Sequence, residues 1–219
     1  MRYYPIQLDI QGRNCLVVGG GAVGTRKVET LLACGAQVTV VSPVATEPLR
    51  GLAAEGAISL TLRDYASEDL SDMFLVIGAT DDEALNRRIS ADAERRRILC
   101  NIADRPEVCN FILPSILQRG DLTITVSTSG KSPAFAKKLR RTLAAQYGEE
   151  YATFLDLMGA IRQRLLAQAH APEAHKPLFE ALPSFGLEVD AAAADAVERG
   201  TVTLSRDLTP QLTERGNLY

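Results

Sequence analysis

Six consecutive residues near the start of the chain, Gly19-Gly20-Gly21-Ala22-Val23-Gly24, fit the spacing G-x-G-x-x-G. That spacing suits a dinucleotide. Gly19 permits a tight turn, Gly21 lets a pyrophosphate approach the backbone, and Gly24 lets a helix pack closely on a strand. The following helix adds orphan N–H groups and partial positive charge for the same anion. The bare pattern also occurs in ordinary glycine-rich turns, so its weight comes from context: an apolar, strand-like run precedes it and a helical pattern follows. An acidic residue about 20 positions further on normally grips the ribose hydroxyls. Here that stretch is Val40-Val41-Ser42-Pro43-Val44, which leaves the task to Ser42 and backbone groups. No carboxylate repels a 2′-phosphate and no Arg adjoins it, so this spot leaves NAD and NADP both open.

Three carboxylates fall where strands of an open α/β sheet would end: Asp81, Asp82 and Asp104. Each has two readings. Thr80-Asp81-Asp82-Glu83 has the spacing of a capping box, and Asp104-Arg105-Pro106-Glu107 that of a cap on a helical turn. A functional Asp104 would instead face the cofactor cleft, as a proton acceptor or a metal-ion ligand. Val126-Ser127-Thr128-Ser129-Gly130-Lys131 offers hydroxyls and backbone N–H groups beside an ammonium: a carboxylate cradle, or a plain strand exit. Two basic runs, Arg87, Arg88, Arg95, Arg96, Arg97 and Lys131, Lys137, Lys138, Arg140, Arg141, read as solvated helix faces or as a local field for a polyanionic small molecule. His170 and His175 stand five apart and do not share a helix face, which argues against chelation by the pair. Cys15, Cys34, Cys100 and Cys109 contain no CxxC and read as buried, reduced thiols.

These groups need a scaffold, and the chain alternates strand and helix signals through residue 113. Apolar, β-rich runs at 14–18, 37–41, 58–62, 73–77 and 98–102 are separated by helical patterns around Val28, around Leu49 and across 83–97. Gly35 is expected to close the first helix, and Ser42-Pro43 to stop the second strand. The continuous apolar run 73–77 suits a central parallel strand covered on both faces. Such alternation predicts a doubly wound parallel sheet. After Pro114 the pattern changes: 122–127 is a clean β segment, and Ser132-Pro133 starts a helix with Phe135, Leu139 and Leu143 on one face. Beyond Tyr151 the signal is helical and Ala-rich, and residues 200–219 have little periodicity, an expected loose tail.

Charge and composition narrow the class. The 219 residues carry 24 Lys+Arg against 27 Asp+Glu, a net −3, which excludes a general polycation for nucleic acid. Aromatic residues are 5% with no Trp, which argues against a stacking platform for single strands. At 46% hydrophobic residues the chain can build a real core, yet no apolar run approaches the roughly 18–20 residues of a membrane span. Residues 1–9 lack the apolar stretch of a secretory signal, so the chain is expected to be soluble and cytosolic.

Taken together, five co-linear segments resemble the siroheme synthase family in its precorrin-2 dehydrogenase domain. They are Val17-Val18-Gly19-Gly20-Gly21-Ala22-Val23 with Arg26-Lys27, Ala79-Thr80-Asp81-Asp82, Cys100-Asn101-Ile102-Ala103-Asp104, Asn110-Phe111-Ile112-Leu113-Pro114-Ser115, and Val126-Ser127-Thr128-Ser129-Gly130-Lys131-Ser132-Pro133. The likeness runs over about residues 1–145, and the C-terminal third matches only in character. The resemblance implies oxidation of precorrin-2 to sirohydrochlorin with NAD, and in some members ferrous iron insertion to give siroheme. It implies a Rossmann domain over 1–113, a dimerisation segment over 114–148 and a helical domain over 149–219, with the active site shared in a homodimer. The family's essential aspartate falls on Asp104, which would also guide iron transiently in a chelatase. Cofactor contacts fall on Ala22, Val23, Pro43 and Val44, beside Gly19, Gly21, Ser42 and Thr80, while Ser127, Thr128 and Lys131 are the expected substrate contacts. The family commonly lacks the acidic residue after the second strand. Thr128 stands where some bifunctional members carry a phosphorylatable serine, and 219 residues leave no room for the methyltransferase domain fused in many members. Two alternatives are a non-enzymatic NAD-sensing module and a chelatase without dehydrogenase activity.

Overall fold

The computed structural model describes residues 2–167. His170, His175 and the expected loose tail over 200–219 lie outside the described residues, as does the larger part of the expected 149–219 domain. The chain divides into two compact units, one of Met1–Leu113 with Ser127–Ser132, the other of Pro114–Val126 with the residues from Pro133 onward.

The first unit holds β1 (Asn14–Gly20), α1 (Ala22–Ala33), β2 (Gln37–Ala45), α2 (Glu47–Ala54), β3 (Ile58–Thr61), β4 (Leu75–Gly78), α3 (Glu83–Arg96) and β5 (Leu99–Ile102). Its strands form one parallel sheet in the order β3-β2-β1-β4-β5. Chain order runs outward from β1 in both directions, so β1 and β4 flank the switch point at which such sheets bind ligands. Strand periodicity sorts the core into two layers. Cys15 and Val17 of β1 pack with Val28 and Leu31 of α1 and Leu49 of α2, whereas Leu16 and Val18 pack with Ile89 and Ala93 of α3. Each fully buried Val, Leu or Ile stabilises the unit by roughly 1.5–3 kcal/mol.

One boundary differs from expectation. The second strand does not stop at Ser42-Pro43 but continues to Ala45. After a register shift between Val18 and Gly20, Gly20 pairs with Ala45, and Thr46 N donates to Gly20 O at 2.9 Å. Pro43 is tolerated because β3 pairs no further than Val41↔Thr61, so its missing N–H costs no ladder bond on that side.

The second unit pairs β6 (Ser115–Arg119) with β7 (Leu122–Val126) in an antiparallel hairpin under α4 (Pro133–Gln146) and α5 (Glu150–Ala167). β6 is an element that the reading of the sequence missed; its signal is the short turn at Gly120-Asp121 between two β-rich runs. Gly120 has φ 52°, and a Cβ there would stand 2.9 Å from Ala152 Cβ, so both conformation and space require glycine. Leu117 and Ala136 are buried, but Ile116, Phe135 and Leu139 remain exposed, Phe135 at 55%. Among the described residues no helix is long and apolar enough to cross a membrane.

A buried carboxylate ties α3 to the β3–β4 connection. Asp92, only 3% exposed, accepts hydrogen bonds from Tyr65 Oη (3.0 Å) and Ser67 Oγ (2.7 Å), and it pairs with Arg95 and Arg88. Burial pushes its carboxyl up, but the Ser67 and Tyr65 hydroxyls, with the Arg95 and Arg88 charges, hold it below the ordinary range. The stability this contributes is present above the unfolded pKa of about 3.9 and is lost as pH falls through the lower folded value. Both guanidinium groups reach solvent when the carboxylate is removed, so the loss is chiefly that of the buried Tyr65 partner. Asp92→Ala is therefore expected to destabilise the first unit by about 1–3 kcal/mol in urea unfolding near neutral pH, a difference from wild type that narrows as pH falls through the lowered folded pKa of Asp92.

Candidate functional site

The glycine turn is built by close backbone contacts. A Cβ at Gly19 (φ 115°) would lie 2.3 Å from Ala79 O, one at Gly20 2.3 Å from Val44 O, and one at Gly24 2.0 Å from Gly19 O. Those three positions are closed to any side chain. Gly21 is different: a Cβ there would meet nothing within 4 Å. Gly21 is the N-cap of α1, with no side-chain cap and no acidic residue in the first turn. The start of α3, by contrast, is capped by its own Asp82, which accepts Leu85 N–H at 3.0 Å. An uncapped helix end facing open space is a site for an anion, so the residues present fit a bound dinucleotide. Ala22 and Val23 lie in that first turn. At the end of β2, Ser42 is buried against Gly20, and the exposed rim is made by Pro43 and Val44, the latter 71% exposed.

The β4 end is held by Ala79 N donating to Val18 O at 2.7 Å. Thr80 is half-buried; its hydroxyl accepts Asp82 N–H at 2.9 Å, and its carbonyl accepts Asn86 Nδ2 at 2.9 Å. The expected capping box therefore takes another form: Asp82, not Thr80, is the N-cap.

Asp104 follows β5. Ala103 N donates to Gly78 O at 2.8 Å, and Asp104 itself adopts φ 59°, a left-handed conformation that Asp tolerates better than most residues. The 3-10 turn Pro106–Val108 has Arg105 as its N-cap and no side-chain cap, so the Asp104 carboxylate does not cap it. Asp104 is exposed and makes no hydrogen bond or ion pair with the described residues. Its charge is felt by half-buried Lys27 on α1, whose ammonium is lowered by burial and by Arg26 while Asp104 acts in the opposite direction. Lys27 belongs to the first of the five motif segments, but its electrostatic link to Asp104 shows only in the fold.

The loop 127–132 belongs to the same unit. Ser127 Oγ accepts Ser129 N–H (3.2 Å), Thr128 Oγ1 accepts Ser132 N–H (3.0 Å), and Lys131 N donates to Thr128 O (3.0 Å). Gly130 (φ 81°) lies against the Asp104 turn: a Cβ there would be 3.7 Å from Pro106 Cγ. The loop that carries Ser127, Thr128 and Lys131 thus approaches the turn after Asp104 at Gly130, with Ser127 and Lys131 exposed. The arginines of α3 are not brought to this site as a free cluster. Arg87 binds Glu83, Arg88 and Arg95 bind Asp92, and Arg96 donates to Ser71 Oγ.

Of the four free cysteines, Cys15 and Cys100 are buried as expected, and burial pushes their thiols up to about 11 and about 12. Cys34, at the C-cap of α1, is exposed instead, because the helix ends there and turns outward at Gly35. Among the described residues no group of three or more His, Cys, Asp or Glu gathers to hold a metal ion.

A family model described as NAD(P)-binding matches residues 6–115, and the sirohaem biosynthesis protein central model matches 119–146. The chain is 40% identical over 184 residues to a siroheme synthase of Nitrosospira multiformis, covering 82% of this chain and 39% of the relative. It is 34% identical over 215 residues to siroheme synthase 1 of Pectobacterium atrosepticum, covering 98% and 45%. The chain thus spans less than half the length of these curated relatives. Among solved structures it is similar to SirC, precorrin-2 dehydrogenase, at 26% identity and a TM-score of 0.73, covering 91% of this chain and 98% of that one.

The glycine contacts separate two substitutions of equal size. Gly24→Ala forces a Cβ onto the Gly19 carbonyl and is expected to cost more than about 3 kcal/mol in thermal or urea unfolding. Gly21→Ala is expected to melt like wild type and to bind NAD at least about tenfold more weakly by calorimetric titration, since its methyl enters only the open space.

Proposed function

The chain belongs to the siroheme synthase family, and from that premise we propose that it oxidises precorrin-2 to sirohydrochlorin with NAD as hydride acceptor. The observation that carries this is the match to a precorrin-2 dehydrogenase over nearly the full length of both chains.

The residues divide the work by their chemistry. The first-turn N–H groups at Ala22 and Val23, opened by Gly21, receive the pyrophosphate, while Gly19 keeps the turn tight. Ser42, Pro43, Val44 and Thr80 border the two ends of the cofactor. NAD, when bound, takes the hydride that the reaction releases. Two hydrogens leave precorrin-2, one as hydride and one as proton, and the Asp104 carboxylate accepts the proton. Its lack of a hydrogen-bond or ion-pair partner among the described residues supports that role. The substrate is a polycarboxylate, and Lys131 with the hydroxyls of Ser127 and Thr128 meets it; the approach of their loop to the Asp104 turn at Gly130 supports that assignment.

Iron insertion is the second activity we propose, with ferrous iron as substrate and Asp104 guiding the ion and accepting pyrrole protons. Residues 1–113 form the NAD-binding domain and 114–148 the dimerisation segment of a cytoplasmic homodimer. The exposed Ile116, Phe135 and Leu139 support a second copy as the cover for that segment.

Protein, NAD and precorrin-2 mixed anaerobically are expected to give NADH absorbance and the sirohydrochlorin spectrum. Asp104→Asn preserves the left-handed backbone and is expected to lower this rate about 100- to 10,000-fold with NAD affinity unchanged. Asp104→Asn at the wild-type rate in both dehydrogenation and iron insertion removes that residue from the mechanism. Tight NAD binding without turnover by the wild-type chain would favour a regulatory NAD sensor instead.

A further inference from the structure

A side chain that takes no part in the site described above holds the Asp104 turn together. Cys109 follows the 3-10 turn Pro106–Val108, and its Sγ accepts Ile102 N–H at 3.0 Å. The same thiol stands 3.1 Å from Arg105 O and 3.4 Å from Ile102 O, either of which accepts its proton. Asn101 Nδ2 approaches the sulfur at 3.7 Å while donating to Phe111 O at 3.1 Å. One sulfur therefore bridges backbone on both sides of Asp104, from Ile102 before it to Arg105 after it.

We propose that Cys109 is the positioning residue of Asp104, fixing the turn whose φ of 59° sets the direction of the carboxylate. This deepens the proposed dehydrogenation and rests on it. One backbone hydrogen bond, Arg105 N–H on Ile102 O at 3.2 Å, also spans the turn, and the Cys109 sulfur adds a second tie across it; the other restraints are weaker or act on one limb only. Arg105 pairs with Glu83 at 3.5 Å and Glu107 at 3.8 Å, but these half-exposed pairs are screened by solvent. Ala103 N on Gly78 O holds only the strand side of the turn. Burial pushes the Cys109 thiol up, the Ile102 N–H pulls against this, and the Glu107 carboxylate adds to the rise, so near neutral pH the thiol keeps the proton that it donates.

The test uses the full chain with NAD and precorrin-2, anaerobically, in a double-mutant cycle with Asp104→Asn. Cys109→Ala is expected to lower kcat about tenfold, or about 1.4 kcal/mol in barrier, while both KM values change by less than about twofold. Cys109→Ser, which keeps a donor and an acceptor on a shorter arm, is expected to recover most of that loss. In the Asp104→Asn background Cys109→Ala is expected to change the residual rate by less than about twofold, because the group it positions is gone. Should the alanine variant precipitate, Cys109→Val keeps the volume, removes both hydrogen bonds and is read in its place. A kcat within about twofold of wild type for Cys109→Ala, or the same tenfold loss in the Asp104→Asn background, overturns the proposal. Turnover by wild type with an unaffected Cys109→Ala overturns this inference alone, whereas no turnover by wild type overturns the proposed dehydrogenation and this inference with it.

Discussion

The absence of a side chain at Gly19 is the constraint on which the rest of the first unit depends. The carbonyl of Ala79 occupies the space where its Cβ would be, so the ends of β1 and β4 meet in direct backbone contact. Gly24 then lies on the carbonyl of Gly19, which fixes where α1 begins and leaves Gly21 alone facing open space. From this one close approach follow the uncapped start of α1, the place where Thr80 emerges and, through Ala103 N on Gly78 O, the exit of β5 toward Asp104. Cofactor site and carboxylate are set by the same strand ends. They share a rigid floor rather than a flexible loop.

Charge in the fold separates into a structural and a functional share. Asp92 is buried and saturated with partners, and it engages two of the arginines on α3. Asp104 is exposed and has no partner among the described residues beyond the field of Lys27. The two carboxylates differ in environment and not in kind. A paired carboxylate contributes stability, whereas one left open can bind or move a proton.

Much of this was legible in the residues themselves. The order of β1 to β5 and their helices follows from hydrophobic periodicity, because a parallel sheet covered on both faces demands continuous apolar runs. The extra length of β2 was not legible, since Ser42-Pro43 signals a stop locally and only pairing with Gly20 carries the strand onward. β6 escaped for a related reason: a five-residue strand has no periodicity of its own until its partner β7 is in place. Asp104 stood between a cap and a functional group because spacing describes both. Its left-handed backbone and the uncapped 3-10 turn remove the capping reading. The arginines of α3 could not be apportioned by counting charge, as their partner Asp92 is recognised only once it is buried. Cys109 had no signal, because seven residues separate it from the N–H that it accepts.

The return of the chain after Asp104 has a separate consequence for the sheet. Asn110 lies along β5, its Oδ1 accepting Cys100 N–H at 2.7 Å, its Nδ2 donating to Ile98 O at 2.9 Å, and its own N–H donating to Cys100 O at 3.1 Å. One side chain and one peptide thus imitate a sixth strand. The outer edge of β5 presents no row of free donors and acceptors to a passing extended chain, and the opposite edge, β3, is only four residues long. The sheet is therefore finite by construction. It can bind a ligand at its strand ends without recruiting another backbone along its sides.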